Sequence, residues 1–258
     1  MALTPHEFGL WIVSTVLQMA LCGLILRRHL SRHLPIFAAY AWLNLLTLAL
    51  VWWAYLRHGY RSPAFFYIAW AAFGAALFAR GLVVGELCRR VLRPYTGVWA
   101  LAWRILTGVA LLLVVYAGLA AYSSRDPLQV FLFTAERGLE LAAAVIIILL
   151  LGISTYFDIR VDRLNRLLVL GLGTWSLLQV VNNVALLLWR DYLHWGSTVK
   201  IIAFQVSLII WIVALLKPIP EKEPARPLLP QQVYDELAPQ TNLKLRLLND
   251  RLLEIFKG

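Results

Sequence analysis

Apolar positions along this chain gather into seven long runs separated by short polar connections. A lipid hydrocarbon core of about 30 Å is crossed by about 20 residues of α-helix, and each run has about that length. The runs are 8–26, 35–56, 64–86, 98–122, 128–152, 167–188 and 198–216. They are far too long for barrel strands, and backbone polar groups in lipid must be satisfied within a segment. The pattern predicts an all-α polytopic membrane protein whose residues 1–216 form a seven-helix transmembrane domain.

Composition supports this interpretation. Hydrophobic residues make up 61% of the chain and its mean hydropathy is +0.72, which excludes a soluble domain of this size. The formal net charge of +10 would favour nucleic acid as a partner in a soluble protein. In a membrane protein the same charge mainly determines topology, so we expect the lipid bilayer and no nucleic acid as a partner.

The basic residues are distributed unequally between the two sides of the predicted bundle. The first, third and fifth connections hold nine arginines: Arg27, Arg28, Arg32, Arg89, Arg90, Arg93, Arg160, Arg163 and Arg166. The other three hold five basic residues: Arg57, Arg61, Arg125, Arg190 and Lys200. Because cytoplasmic loops carry the excess of Lys and Arg, the N-terminus is predicted outside and the C-terminus in the cytoplasm.

Motifs of catalysis and metal binding are missing from the sequence. The five histidines lie in connections or termini, which argues against haem or zinc within the bundle: His6, His29, His33, His58 and His194. No nucleophile elbow, zinc-protease motif or phosphate-binding glycine loop occurs. We therefore expect no enzyme, no metal and no cofactor.

Ionisable residues inside the predicted helices are the most informative positions. Arg80 lies in the third segment, and Glu136, Arg137 and Glu140 lie in the fifth. A charge at the bilayer centre costs at least about 2.5 kcal/mol, so such residues face the bundle interior and pair. Glu136 and Glu140 are four residues apart and share one helix face. Helix direction and depth place Arg80 near Glu140, which predicts an intramembrane ion pair between them.

Amide side chains occur at comparable depth in the last two segments. Gln179, Asn182 and Asn183 lie in the sixth segment and Gln205 in the seventh. The candidate ligand or proton site comprises Glu136, Arg137, Glu140, Gln179, Asn182, Asn183 and Gln205. We expect a pocket that opens outward and suits a small polar ligand or a coupled proton. The alternative is that these side chains only form hydrogen bonds between helices.

Beyond residue 216 the composition changes. Residues 217–239 are predicted to form a stiff cytoplasmic linker, because five prolines fall within residues 217–230, and residues 240–258 are predicted to form an amphipathic helix. Its apolar seam consists of Leu245, Leu248, Leu252 and Ile255. A helix this short needs a surface to bury that seam. Candidates are the bundle itself, the inner leaflet, a second copy or a cytoplasmic protein, and we favour protein contact through residues 240–257.

Several short motifs together carry a family resemblance. They are Phe65-Phe66-Tyr67 with Trp70, Glu86 with Arg89 and Arg93-Pro94-Tyr95, Glu136-Arg137, and Gly171-x-Gly173. The combination resembles an uncharacterised family of bacterial seven-helix membrane proteins. The resemblance implies a multi-pass protein of the bacterial inner membrane and implies no activity. It also draws attention to Glu86, which lies one helical turn from Arg89 and Arg90 and is spaced for an ion pair with either.

Three functions fit these features. The leading hypothesis is a receptor-like or sensory signalling module with a ligand site in the bundle and a partner on the cytoplasmic tail. One alternative is a small proton-coupled transporter in which Glu140 takes up and releases the proton. The other alternative is a membrane scaffold or assembly subunit without a ligand.

Overall fold

The structure is a computed structural model, and it describes residues 5–59, 62–92, 96–156, 161–189, 193–216 and 247. Within these ranges the chain is all-helical, with one 3₁₀ turn (Leu30–Arg32) and no β-strand. The seven α-helices are α1 (Pro5–Arg27), α2 (Pro35–His58), α3 (Pro63–Leu92), α4 (Thr96–Tyr122), α5 (Pro127–Tyr156), α6 (Arg163–Leu188) and α7 (Leu193–Leu216). Each predicted segment falls within one of these helices, and most of the helices extend beyond the apolar run at one or both ends.

Six of the described helices are long and apolar enough to cross a membrane, namely α1, α2, α3, α4, α6 and α7. This finding confirms the prediction of an all-helical, multi-pass membrane protein. Helix α5 is as long as α3, at 30 residues, but it carries three charged residues within five positions. The predicted linker and the apolar seam of the predicted tail helix lie outside the described residues.

Six of the described helices, α1, α2, α3, α5, α6 and α7, pack side by side as a ring. Helix α1 contacts α2 and α7, and α7 contacts α6, while α3 contacts α2, α4, α5 and α6. Helix α4 lies outside the ring and packs only against α3 and α5 among the described helices. Its apolar side chains, such as Leu112 and Leu119, are about 70% exposed, as expected of a face that meets lipid.

The buried apolar core occupies one half of the bundle. It forms where α1, α3, α5 and α7 end and where α2 and α6 begin, which is the end predicted to face the cytoplasm. Trp211 of α7 lies at its centre, with the rings of Phe37 and Tyr40 at 5.3 Å and 6.2 Å in edge-to-face contact. The opposite half of the bundle holds fewer buried apolar residues, and that half contains the cleft described below.

Glycines of α6 set how closely its neighbours approach. A Cβ at Gly171 would overlap the indole nitrogen of Trp211, and one at Gly173 would lie 2.9 Å from the side chain of Ile147. The indole nitrogen donates a hydrogen bond of 3.2 Å to the carbonyl of Leu168. Small residues allow membrane helices to pack closely. The two glycines of the Gly171-x-Gly173 motif therefore allow α7 to pack closely against one side of α6 and α5 to pack closely against the other.

The N-terminus of α2 receives its cap from another helix. Leu34 precedes the helix and has no polar side chain, and Pro35 has no N–H to donate. The next two amides, of Ile36 and Phe37, donate to the carboxylate of Glu86 at 3.2 Å and 2.8 Å. A carboxylate at a helix N-terminus is stabilised by the free N–H groups and the helix dipole. The structure thus places the carboxylate of Glu86 at the start of α2, where it caps the helix.

Candidate functional site

Helix α5 presents two carboxylates on one face, one turn apart. Glu136 and Glu140 are both buried, with exposed fractions of 5% and 0%. Each pairs with a basic residue from a different helix. Because the two carboxylates sit at different depths in the bundle, they enter two different environments.

Glu140 belongs to a sealed polar network. Its Oε1 pairs with the guanidinium of Arg80 from α3 and accepts a hydrogen bond of 2.7 Å from the indole nitrogen of Trp175. Its Oε2 accepts a hydrogen bond of 2.7 Å from the hydroxyl of Ser176. These donors lie on α3 and α6, so the carboxylate joins three helices at one point. Hydrogen bonds and an opposite charge together stabilise an ionised carboxylate away from water.

Arg80 is also buried. Its Nε donates to the hydroxyl of Tyr40 on α2 at 3.3 Å, and its guanidinium carbon lies 4.8 Å from the ring centre of Trp175. A guanidinium over an indole ring gains a cation–π attraction that strengthens with desolvation. Tyr40 also contacts Trp211, so the network extends into the apolar core. The structure pairs the same two residues, Arg80 and Glu140, that the sequence analysis placed together.

Glu136 forms a second and more accessible pair. Its Oε1 lies 2.5 Å from the Nζ of Lys200 on α7, whose side chain is 34% exposed. The ammonium also lies 5.2 Å from the ring centre of Phe73 on α3. Among the described residues, the backbones of α5 and α7 do not approach within 8 Å of one another. The ion pair therefore spans a gap between two helices that are both supported by α6.

That gap is an open cleft of about 430 Å³. It is lined by Val130, Phe133, Thr134, Glu136, Arg137, Gln179, Asn182, Asn183, Leu186, Gly196, Ser197 and Lys200. The lining residues lie where α5 and α7 begin and α6 ends, at the end of the bundle predicted to face outward. A volume of this size falls within the range of small-molecule sites.

Two buried amide atoms in the cleft have no hydrogen-bond partner among the described residues. They are Nε2 of Gln179 and Oδ1 of Asn182, whose side chains are only 2% and 3% exposed. The other end of the Asn182 amide donates to the carbonyl of Gly196 at 3.2 Å, which fixes its orientation. Buried polar atoms are normally paired with protein or water. Two residues that line the cleft therefore each carry one buried polar atom, a donor and an acceptor, that is unsatisfied within the described part of the chain.

Arg137 supplies a third charge to the cleft. It follows Glu136 on α5 and is exposed, and within the described part of the chain it has no ion pair or hydrogen bond. Since Lys200 balances Glu136, the guanidinium gives the described lining residues of the cleft an excess of one positive charge.

The structure brings five members of the predicted site together and places two elsewhere. Glu136, Arg137, Gln179, Asn182 and Asn183 all line the cleft. Glu140 lies in the sealed network. Gln205 instead ties α7 to α1, because its Nε2 donates to the carbonyl of Leu10 at 2.8 Å and lies 3.1 Å from the hydroxyl of Ser14.

Lys200 is the charged residue of the cleft that the sequence analysis did not assign to the site. Because it lies near the start of the predicted run 198–216, its position in the sequence favours a place in the connection before that run. Helix α7 begins at Leu193, so Lys200 lies two turns inside it. The feature that could have identified Lys200 is its position within an apolar segment, opposite a helix that carries two buried carboxylates.

No family model, curated protein or solved structure matches this chain. Within the described ranges, no group of three or more His, Cys, Asp or Glu side chains is arranged to hold a metal ion. We therefore infer the function from the geometry of the cleft.

Proposed function

We propose that this chain is a seven-helix protein of the bacterial inner membrane, with its N-terminus outside, that binds a small polar ligand in the cleft and acts as a receptor-like sensory module. The observation that carries the proposal is a pair of amide atoms on Gln179 and Asn182 that are buried beside an ion pair and have no partner among the residues the structure describes. A ligand with one acceptor and one donor satisfies both atoms, and buried polar groups gain most from such pairing.

A route from ligand binding to a conformational signal is supported by the same helix. Across the cleft α5 and α7 are joined by the Glu136–Lys200 pair, so a ligand that competes for either charge alters their spacing. One turn further along α5, Glu140 is bonded to α3 and α6. A shift of α5 therefore acts on both helices. Ligand binding moves the equilibrium only by its difference in affinity for the two arrangements.

Signalling also needs an output, and the proposal assigns it to residues 240–257. A chain truncated after Pro230 is expected to lose a bound cytoplasmic protein in native mass spectrometry while keeping the folded bundle. If the full chain carries no protein partner and no second copy, the signalling part of the proposal is wrong.

Proton-coupled transport through Glu140 is the alternative. The contacts of Glu140 favour a structural role, because an enclosed carboxylate with an arginine partner and two further donors has no path to water in this arrangement. Transport predicts ligand flux into liposomes that Glu140→Gln abolishes, whereas sensing predicts saturable binding without flux.

Ligand binding is tested by thermal unfolding of the purified protein against a panel of small polar anions, neutral molecules and cations. A ligand that binds only the folded state raises the unfolding midpoint. We expect at least one class to stabilise the wild type and Gln18→Leu but not Gln179→Leu. Gln18 is a matched control, since it is a buried glutamine with an unpartnered Oε1 outside the cleft. A panel without effect on the wild type contradicts the proposal, and so does an equal response of Gln179→Leu.

A further inference from the structure

The charges of the cleft distinguish between classes of ligand. Glu136 and Lys200 neutralise each other at 2.5 Å, and Arg137 adds a cation within the same lining. A cationic ligand would have to displace Lys200 from Glu136 and lie beside an uncompensated guanidinium. An anionic ligand does not have to break the Glu136–Lys200 pair, and it is attracted by the excess positive charge of Arg137 among the described lining residues.

The type of basic residue favours an oxygen anion. Arginine presents several N–H donors in a planar fork that matches the two oxygens of a carboxylate or phosphate. Lys200 approaches from the facing helix as a compact charge with three donors, of which one is directed to Glu136. The cleft therefore provides donors to an anion from α5 and α7.

We propose that the cleft binds an organic molecule through a carboxylate or phosphate group held by Arg137 and Lys200, with a neighbouring hydroxyl or amino group held by Gln179 and Asn182. This inference rests on the proposed function and specifies its ligand class. Nε2 of Gln179 donates to the ligand, and Oδ1 of Asn182 accepts from it, since these are the two atoms without partners among the described residues. The anion comes either from a water-soluble molecule or from a lipid headgroup.

The test uses three probes that share a carbon skeleton and a hydroxyl group and differ in charge: lactate, lactamide and 1-amino-2-propanol. Glycerol 3-phosphate and glycerol form the matching phosphate pair. Affinities are measured by calorimetry near neutral pH in dodecyl maltoside, a detergent without charge or phosphate. We expect at least one anion to bind about tenfold more tightly than its neutral counterpart, since a hydrogen bond to a charged group is stronger than one to a neutral group. The cationic amine should bind most weakly.

Arg137→Gln is expected to reduce the affinity for the anion to that for its neutral counterpart. Arg125→Gln is the control, because Arg125 precedes α5 at the same end of the bundle and does not line the cleft. It removes the same charge and should leave the preference for the anion intact. Equal losses in both variants would mean that the general field of the protein causes the preference, and would overturn the inference.

A second arm identifies the source of the anion. In nanodiscs of phosphatidylglycerol at high salt, which screens the repulsion between the lipid surface and the probe, weaker binding of the anionic probe than in phosphatidylcholine supports a lipid headgroup as the natural ligand. Equal binding supports a soluble anion. Binding of neutral probes as tight as that of anions overturns the inference but preserves the proposed function. If neither lactate nor glycerol 3-phosphate binds, the inference about the ligand class is also overturned. The proposed function is then tested by the panel of small polar molecules in the thermal unfolding experiment.

Discussion

Two ion pairs on one face of α5 show how position in a bundle changes the role of a charge. Glu140 is fully buried and is bonded to Arg80, Trp175 and Ser176. Glu136, one turn away, pairs with a single lysine that is one-third exposed. The sealed pair has several donors from two helices, whereas the open pair spans a cleft that also contains unpartnered polar atoms. We therefore expect the deeper pair to stabilise the fold and the outer pair to be available for exchange with the proposed ligand.

The largest expected effect follows from removing one partner of the sealed pair. Arg80→Ala leaves the carboxylate of Glu140 buried without its counterion, which should destabilise the protein by about 3 to 5 kcal/mol. The measurement is the yield of monodisperse protein and its thermal unfolding midpoint in detergent. Arg89→Ala is the control, because Arg89 is an exposed arginine of the same helix.

The double variant Arg80→Met with Glu140→Met tests the reason for that loss. It removes both charges and leaves neither one orphaned, so it should be more stable than Arg80→Ala. If Arg80→Ala unfolds at the wild-type temperature, the sealed pair does not stabilise the fold and the contrast with the outer pair disappears.

A smaller effect is expected from a single donor to Glu140. Ser176→Ala removes a hydroxyl that donates to the charged carboxylate at 2.7 Å, a bond whose loss costs about 1.5 to 3 kcal/mol. Ser207→Ala is a matched control, since Ser207 is equally buried and bonds only the carbonyl of Ala203 in its own helix. Thermal unfolding of the two variants should differ clearly, and similar midpoints would show that the bond to Glu140 has no special weight.

The smallest effect on stability is expected at the open pair. Lys200→Gln should lower the free energy of unfolding by less than Arg80→Ala does, because the lysine is partly exposed and the carboxylate that it leaves lies beside an open cleft. The difference from wild type should shrink between low and high salt, as screening weakens the wild-type pair. The loss in Arg80→Ala should persist in high salt. A loss in Lys200→Gln as large and as salt-insensitive would mean that both pairs are structural.

The spacing of residues along the chain predicted the features that depend on a single helix or on the depth of a residue in the bundle. The apolar runs located the helices, the four-residue spacing placed Glu136 and Glu140 on one face, and helix direction paired Arg80 with Glu140. These inferences need only the length of a helix, its rise per residue and its direction.

Features that depend on helix rotation and packing were not predictable in this way. Gln205 was assigned to the ligand site by depth alone, but α7 turns it toward α1. Lys200 was treated as part of a connection, because the apolar run begins later than the helix. The partner of Glu86 lies 49 and 50 residues away in the chain, and only the packing of α2 on α3 brings them together.

The cap that Glu86 provides to α2 has a consequence for biogenesis. During synthesis, the first turn of α2 leaves the ribosome before Glu86 has been translated, and neither Leu34 nor Pro35 caps it locally. Its free N–H groups obtain their carboxylate only when the far end of α3 has emerged. We therefore expect α2 and α3 to enter the membrane together as a helical hairpin. The insertion of α2 is then complete only when α3, which carries Glu86, has also inserted.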